Sequence, residues 1–424
     1  MTANAFATRP LAAAIDSAVA EIGPQLIAWR RDLHAHPELG NREFRTAGIV
    51  AAHLRAIGCD EVRTEVAHTG VVAVLKGKRP GSVVALRADM DGLPVAERTD
   101  VPFASKVQTV WNGEAVGVMH ACGHDAHVSI LMAVASVLAG RRDQLAGSVK
   151  FIFQPAEELP PEGEDGGARM MIAEGALENP APGVIFGLHV TSQLPTGVIG
   201  YRSGPTMASA DSFRIVVNGR QTHGAMPWRG VDPIVVAAQV VLGLQTIVSR
   251  QVDIASEPAV VTIGRIKGGV RNNIIPDSVE MNGTIRTFDE GMRDDVHVRV
   301  TDTAEHIARA SRAGCDVCIT KNYPVTVNDA ELTAQMLPTL ERVAGKAQVR
   351  LVPKVTGSED FAFYQHVVPG LFFFVGITPP TKEPADVAPN HSPLFYIDEA
   401  GLPLGVRALA QVAVDWLESQ APRG

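Results

Sequence analysis

Cys122 and His124 stand two apart around a glycine, inside residues 117–127, which pack one thiol, three imidazoles and a carboxylate into eleven positions. That spacing puts both side chains on one side of an extended segment, whereas on a helix they would diverge. A soft thiolate beside an imidazole suits zinc or a similar transition metal. In isolation the pair is better explained as a small buried thiol next to a core histidine; the rest of the chain shifts the balance. The run that follows, 128–138, is apolar nearly all round, as in a buried helix, so the Cys-Gly-His turn is expected in a loop that this helix anchors.

The elements that must position these residues are legible as apolar runs of strand length at 70–75, 82–86, 149–153, 184–188 and 371–375. Most are apolar on consecutive positions, the mark of strands buried on both faces of a largely parallel sheet. Helical stretches between them argue for an α/β fold with helices on both faces. In such sheets ligands bind beyond the carboxyl ends of the strands. There the chain places Asp89 and Asp91 after the second run, Glu157 and Glu158 after the third, and His189 after the fourth. His391 follows the last strand by a loop and could return to the same edge. Upstream, residues 11–57 read as helices broken at Gly23-Pro24 and around 36–40. Adjacent in an extended turn, Glu157 and Glu158 are expected to point to opposite sides.

The middle of the chain changes character. Residues 211–217 alternate like a strand with one wet face. A helix is expected over 232–250 with Asp232 as cap and Pro233 in the first turn. Strands near 259–266 and 278–288, a helix over 290–310 and a strand at 316–321 complete a βαββαβ unit. The expected division is a catalytic domain of 1–207 and 323–424, with 208–322 inserted into it. A chain of 424 residues is long enough for two cores.

Composition excludes some classes. A formal charge of −8 argues against a general nucleic-acid binder. Four cysteines in so long a chain suggest a reducing compartment without a disulfide framework. Cys315-x-x-Cys318 looks like half a zinc site, but as a strand it aims the thiols at opposite faces. The apolar stretch 11–15 is too short for a secretory leader, and no apolar run reaches about 18 residues. A soluble cytoplasmic protein without membrane or nucleic-acid partners is expected.

Together the motifs resemble the bacterial amidohydrolase branch of the aminoacylase and glutamate-carboxypeptidase superfamily, which includes hippurate hydrolase, N-acyl-L-amino-acid amidohydrolases and plant hydrolases of indoleacetyl-amino-acid conjugates. The matching stretches are residues 33–38, 87–94, 119–127, 154–158, 187–189, 222–227, 272–276, 283–286, 357–361 and 390–392, in the family's order over nearly the whole chain. The resemblance implies two divalent metals, zinc or manganese with cobalt or nickel as alternatives. It implies Cys122, His124, Glu158, His189 and His391 as ligands, with Cys122 bridging. Glu157 is implied as general base, taking a proton from water and passing it to the leaving nitrogen, and Asp91 as an orienting partner near the site. The inserted domain is implied to be a lid and a dimerisation surface. His223 is implied to reach the partner subunit's site, and Asn273 and Arg286 to grip the substrate's carboxylate.

The implied activity is hydrolysis of N-acyl or N-aroyl amino acids such as hippurate to a carboxylic acid and an amino acid. A dipeptidase or carboxypeptidase of the same superfamily is the alternative. Each ligand alone has a dull explanation, a solvated glutamate or a satisfied core histidine; the ordered set points to metal. One departure stands out. Residues 159–167 are longer and more acidic than the short glycine turn of this branch, which bears on the acyl pocket.

Overall fold

The computed structural model describes residues 10–158 and 160–421. Leu159, the first residue of the acidic segment noted above, lies outside the described residues. The chain forms two compact units, one of residues 1–204, 328–352 and 363–424, the other of 205–327 and 353–362.

The first unit is built on an eight-stranded sheet. Its order is Glu61–Val66, Gly70–Lys76, Ala146–Gln154, Arg79–Asp89, Val184–Pro195, Gly370–Thr378, Ile199–Tyr201 and Val349–Leu351. Its four central neighbours run parallel, the pairs flanking them are antiparallel, and the edge pair Ile199–Tyr201 with Val349–Leu351 is parallel again. The doubly buried apolar runs explain this. Every residue of Gly370–Thr378 is buried, as are six of the seven in Gly70–Lys76, which only a sheet covered on both faces allows. The helix His124–Ala139 is buried almost all round; it packs with Leu402–Gln420 on the sheet and with Pro10–Ala35 beyond.

Two sequence expectations are corrected here. The first helix does not break at Gly23-Pro24 but runs from Pro10 to Ala35 with Pro24 inside. Its buried Leu11, Ile15, Val19, Leu26 and Leu33 lie on a face that continues across the proline, so packing outweighs the lost backbone hydrogen bond. The expected second break holds, since the next helix starts at Phe44. Also, Leu11–Ala35 and Pro233–Gln251 are long and apolar enough to cross a membrane by length and composition, where no such run was expected. Each nonetheless places residues in a core: Ile15 and Val19 in the first unit, Val240 and Leu244 in the second.

The second unit is a four-stranded antiparallel sheet in the order Ala259–Gly268, Ser278–Thr287, Ala210–Asn218 and Gly314–Tyr323. The helices Pro233–Thr246 and Glu290–Ala310 bury Val236, Val240, Leu244, Val296 and Val300 with Phe213, Ile215 and Val217 of the sheet. Both helices are capped as aspartates at such positions should be. Asp232 accepts from the Ile234 N–H at 2.9 Å and Asp289 from the Met292 N–H at 2.8 Å, each cap being worth about 1 kcal/mol. Cys315 and Cys318 sit on one strand as free thiols.

Candidate metal centre

The parallel register brings the chemistry to one level. Arg87 pairs with Gly187, and Asp89 with Gln154. Two residues beyond Gly187 is His189, two beyond Asp89 is Asp91, and shortly beyond Gln154 come Glu157 and Glu158. His189 lies within its strand, which extends to Pro195, rather than just after it as the sequence suggested.

Cys122 and His124 are delivered to this level by Gly123. Its φ is +101°, and a Cβ there would stand 2.4 Å from Val190 Cγ2, so only glycine fits both the backbone and the space. His124 is the first residue of its helix. The fifth group arrives on a loop. His391 has φ +72° and is held by its own N–H to the Ala121 carbonyl (2.8 Å) and by the Asn390 amide to the Cys122 carbonyl (2.9 Å). Left-handed backbone at a residue with a Cβ costs of order 1–3 kcal/mol and collects at functional sites.

The result is one cluster within the first unit. Cys122 Sγ is 3.4 Å from His189 Nε2 and 3.3 Å from His391 Nε2, and His391 Nε2 is 2.8 Å from Glu158 Oε1. His124 Nε2 is 3.8 Å from Glu157 Oε2. Among the groups whose ligand atoms lie within 4.8 Å of one another are Cys122–His124–His189, Cys122–Glu158–His391 and His124–Glu157–Glu158. Cys122 is common to the first two. Glu157 and Glu158 therefore converge instead of diverging as expected. Both residues lie in a turn rather than an extended segment, so the alternation of an extended chain does not apply to them.

The protonation pattern fits cations. His189 donates Nδ1–H to the Val190 carbonyl at 2.7 Å, which leaves Nε2 as the lone pair facing the thiol. Burial and the neighbouring His127 hold its pKa well below the ordinary value, so it is a neutral ligand. His124 gives Nδ1–H to Asp91 Oδ1 at 3.1 Å, and its buried Nε2 has no hydrogen-bond partner among the described residues. Burial opposes a charge on His124, but Asp89, Asp91 and Glu158 overcome it and push its pKa up to about 10. The Cys122 thiol is pushed well above its usual range by burial and by Glu158 and Glu157. A thiol and an imidazole so placed give up their protons when a cation takes over the charge balance.

Asp91 touches both halves of the cluster. Its Oδ1 takes the His124 ring and its Oδ2 accepts the Glu158 N–H at 2.9 Å. Asp91→Asn keeps a single acceptor oxygen and is expected to lower metal affinity or activity about 10–100-fold, the usual cost of losing such a partner. Metal titration of the variant checks this, and wild-type affinity with wild-type turnover would contradict it.

Sequence reasoning brought Asp89 to this edge but gave it, Arg87 and His127 no role in the site. His127 Nδ1 donates to Asp89 at 2.6 Å and its Nε2 accepts the Val190 N–H at 2.9 Å. With both nitrogens engaged, His127 acts as a brace. Arg87 pairs with the buried Asp89 at 2.6 Å. The signal was present: Asp89 precedes Asp91 by two on a strand end, and His127 follows His124 by three on a helix.

The remaining expected residues belong to the second unit. His223 lies on the two-residue strand Thr222–His223, paired with Ile274–Ile275, and is exposed. Asn273 is exposed beside it, its carbonyl accepting the Gly224 N–H at 2.8 Å. Arg286 lies on Ser278–Thr287, half-buried; burial pulls its guanidinium below the ordinary value while the Asp211 charge pushes back.

Residues 85–415 match the family model described as Peptidase family M20/M25/M40. The chain is 39% identical over 397 residues to thermostable carboxypeptidase 2 of Saccharolobus solfataricus, covering 93% of this chain and 96% of that one. It is 39% identical over 401 residues to the N-acetylcysteine deacetylase of Bacillus subtilis, covering 93% and 97%. Among solved structures it is similar to the Bacillus subtilis YXEP protein, described as a dinuclear metal-binding peptidase, with TM-score 0.77, 36% identity and coverage of 94% and 99%.

Proposed function

The chain belongs to peptidase family M20/M25/M40, and from that premise we propose that it hydrolyses the amide of N-acyl or N-aroyl amino acids, hippurate-like compounds among them. That it is a metal-dependent hydrolase of amides follows from the family and its amidohydrolase relatives. The observation that carries the hydrolytic reading is the convergence of Cys122, His124, Glu158, His189 and His391 around a buried Glu157; relatives named N-acetylcysteine deacetylase and IAA-amino acid hydrolase support the choice of acylated amino acids.

Those five residues would hold two divalent cations, with Cys122 between them; zinc and manganese are the first choices, cobalt and nickel the next. When bound, such a pair supplies Lewis acidity toward the scissile carbonyl and lowers the pKa of water toward neutrality. Glu157, beside His124 Nε2 and nearly buried, receives the proton that water loses. It returns that proton to the amide nitrogen as the C–O bond forms and the C–N bond breaks, so the amino acid leaves as a neutral amine. Asp91 keeps the His124 ring turned so that Nε2 faces the site.

Arg286 and Asn273 are assigned to the substrate's carboxylate. A half-buried guanidinium gains from a two-pronged contact with a carboxylate. Arg286→Met removes charge-assisted hydrogen bonds of about 1.5–3 kcal/mol, so KM is expected to rise about 10–100-fold while kcat holds. Steady-state kinetics on an N-benzoyl amino acid decide it; an unchanged KM counts against the assignment. His223 is assigned to the active site of a partner subunit, and the second unit to a lid and the surface of a homodimer. Its exposed Ile234, Leu242, Ile266 and Val270 are consistent with that. The enzyme is placed in the cytoplasm.

The relative named a carboxypeptidase favours a second reading, hydrolysis of dipeptides or longer peptides from the free carboxylate. A panel of N-acetyl, N-benzoyl and indoleacetyl amino acids against free-amine dipeptides, run on metal-stripped enzyme reloaded with one metal at a time, separates the two. Preference for the acylated compounds supports the first reading, and preference for free-amine dipeptides the second.

A further inference from the structure

Glu43 is fully buried, although it stands at the start of the helix Phe44–Ala56, where a glutamate would ordinarily face the helix end and water. Its side chain makes no cap. Glu38 takes that task, accepting the N–H groups of Arg45 and Thr46 at 2.9 Å each. Glu43 is thereby free to turn inward. Its Oε1 accepts the Ala156 N–H at 2.9 Å, and its Oε2 accepts the Thr69 hydroxyl at 2.5 Å.

The contact falls at the point where the site is most dependent on backbone direction. Ala156, at φ +50°, is in a conformation that its Cβ disfavours, and it immediately precedes Glu157 and Glu158. The same short segment grips the turn from its other end. The Asn41 amide donates to Glu164 Oε2 at 3.1 Å and to the Asp165 carbonyl at 3.0 Å, and Arg42 pairs with Glu164. The Glu38 carbonyl accepts the Gly92 N–H at 2.7 Å and so ties in the Asp91 loop as well. Burial and the Asp91 charge push Glu43 up to about 8, an unfavourable setting for a carboxylate that the hydrogen bonds to Ala156 and Thr69 offset only in part.

We propose that Glu43 is a positioning residue for amide hydrolysis: through the Ala156 N–H it holds the left-handed turn that aims the Glu157 carboxylate into the site. This rests on the role assigned to Glu157 above.

The test compares Glu43→Ala, Glu43→Gln and Thr69→Val with wild type on an N-benzoyl amino acid, with metal content and amide hydrogen exchange at Ala156 measured alongside. Glu43→Ala is expected to bind its full metal complement and keep KM within about 3-fold, while kcat falls about 30–100-fold, as a misaimed catalytic group costs. Its Ala156 amide exchanges about 100-fold faster than in wild type, because the protecting acceptor is gone. Glu43→Gln restores kcat to within about 3-fold of wild type, since its amide oxygen still accepts the Ala156 N–H. Thr69→Val, which loosens the carboxyl from its other anchor, lowers kcat a few-fold, about 3–10, with KM unchanged. A folded, metal-loaded Glu43→Ala enzyme with kcat within 3-fold of wild type overturns the proposal, and so does a Glu43→Gln enzyme as slow as Glu43→Ala. Should Glu43→Ala not fold, full kcat in Thr69→Val overturns it instead. If wild type turns over no acyl amino acid, the functional reading fails; the exchange rate at Ala156 then still shows whether Glu43 holds the turn, and unchanged exchange in Glu43→Ala refutes that hold.

Discussion

Glu157→Gln is expected to fold, to bind both metals and to lose about 10²–10⁴-fold in kcat, the range typical of a positioned general base. Glutamine matches glutamate in shape and still offers an oxygen, so Cys122, Glu158 and the three imidazoles keep their places. What it lacks is a site for the proton. The leaving nitrogen of an amide departs only when protonated, so without that shuttle both halves of the reaction slow, and KM should move far less than kcat. The placement supports this division of labour. The Glu157 carboxylate is 3.8 Å from His124 Nε2 and nearly buried, whereas Glu158 is engaged by His391 at 2.8 Å. A Glu157→Gln enzyme with full metal content and undiminished turnover would remove Glu157 from the chemistry altogether.

The second large effect is expected from Cys122→Ala. Its sulfur lies 3.4 Å from His189 Nε2 and 3.3 Å from His391 Nε2, and it is shared by the triads Cys122–His124–His189 and Cys122–Glu158–His391. Loss of a shared ligand is expected to reduce bound metal below two per chain. Activity should fall by more than the roughly 100-fold that loss of an outer partner causes at most. Metal analysis after gel filtration reads the first effect, and kinetics the second. The measurement also separates this account from a cysteine-nucleophile hydrolase, in which the variant would be inactive yet bind as much metal as wild type. Burial and the adjacent carboxylates keep the thiol protonated in the absence of a cation, a poor state for a nucleophile.

Much of this was legible because it is written in local chemistry. Runs such as 371–375 are apolar at every position, and only a strand covered on both faces uses such a pattern. The cap Asp232 announces its helix by type and place. The order in which carboxylates and imidazoles follow strand ends told where the site would lie. Other features depend on partners distant in the chain. Pro24 reads as a breaker until the continuous face from Leu11 to Leu33 is packed. Glu157 and Glu158 read as diverging until the chain after Ala156 is seen to turn there, and the φ of +50° at Ala156 is a state no propensity suggests for alanine. Glu43 gives no sign of being buried, because its contacts, Thr69 and Ala156, are 26 and 113 residues away.

The most direct test of the central claim is an anomalous diffraction map of metal-loaded crystals collected at the metal's absorption edge. The account predicts two peaks per chain, contacted by Cys122, His124, Glu158, His189 and His391, with the Cys122 sulfur touching both. A single peak, or peaks ligated by other residues with these five left unbound, would contradict it.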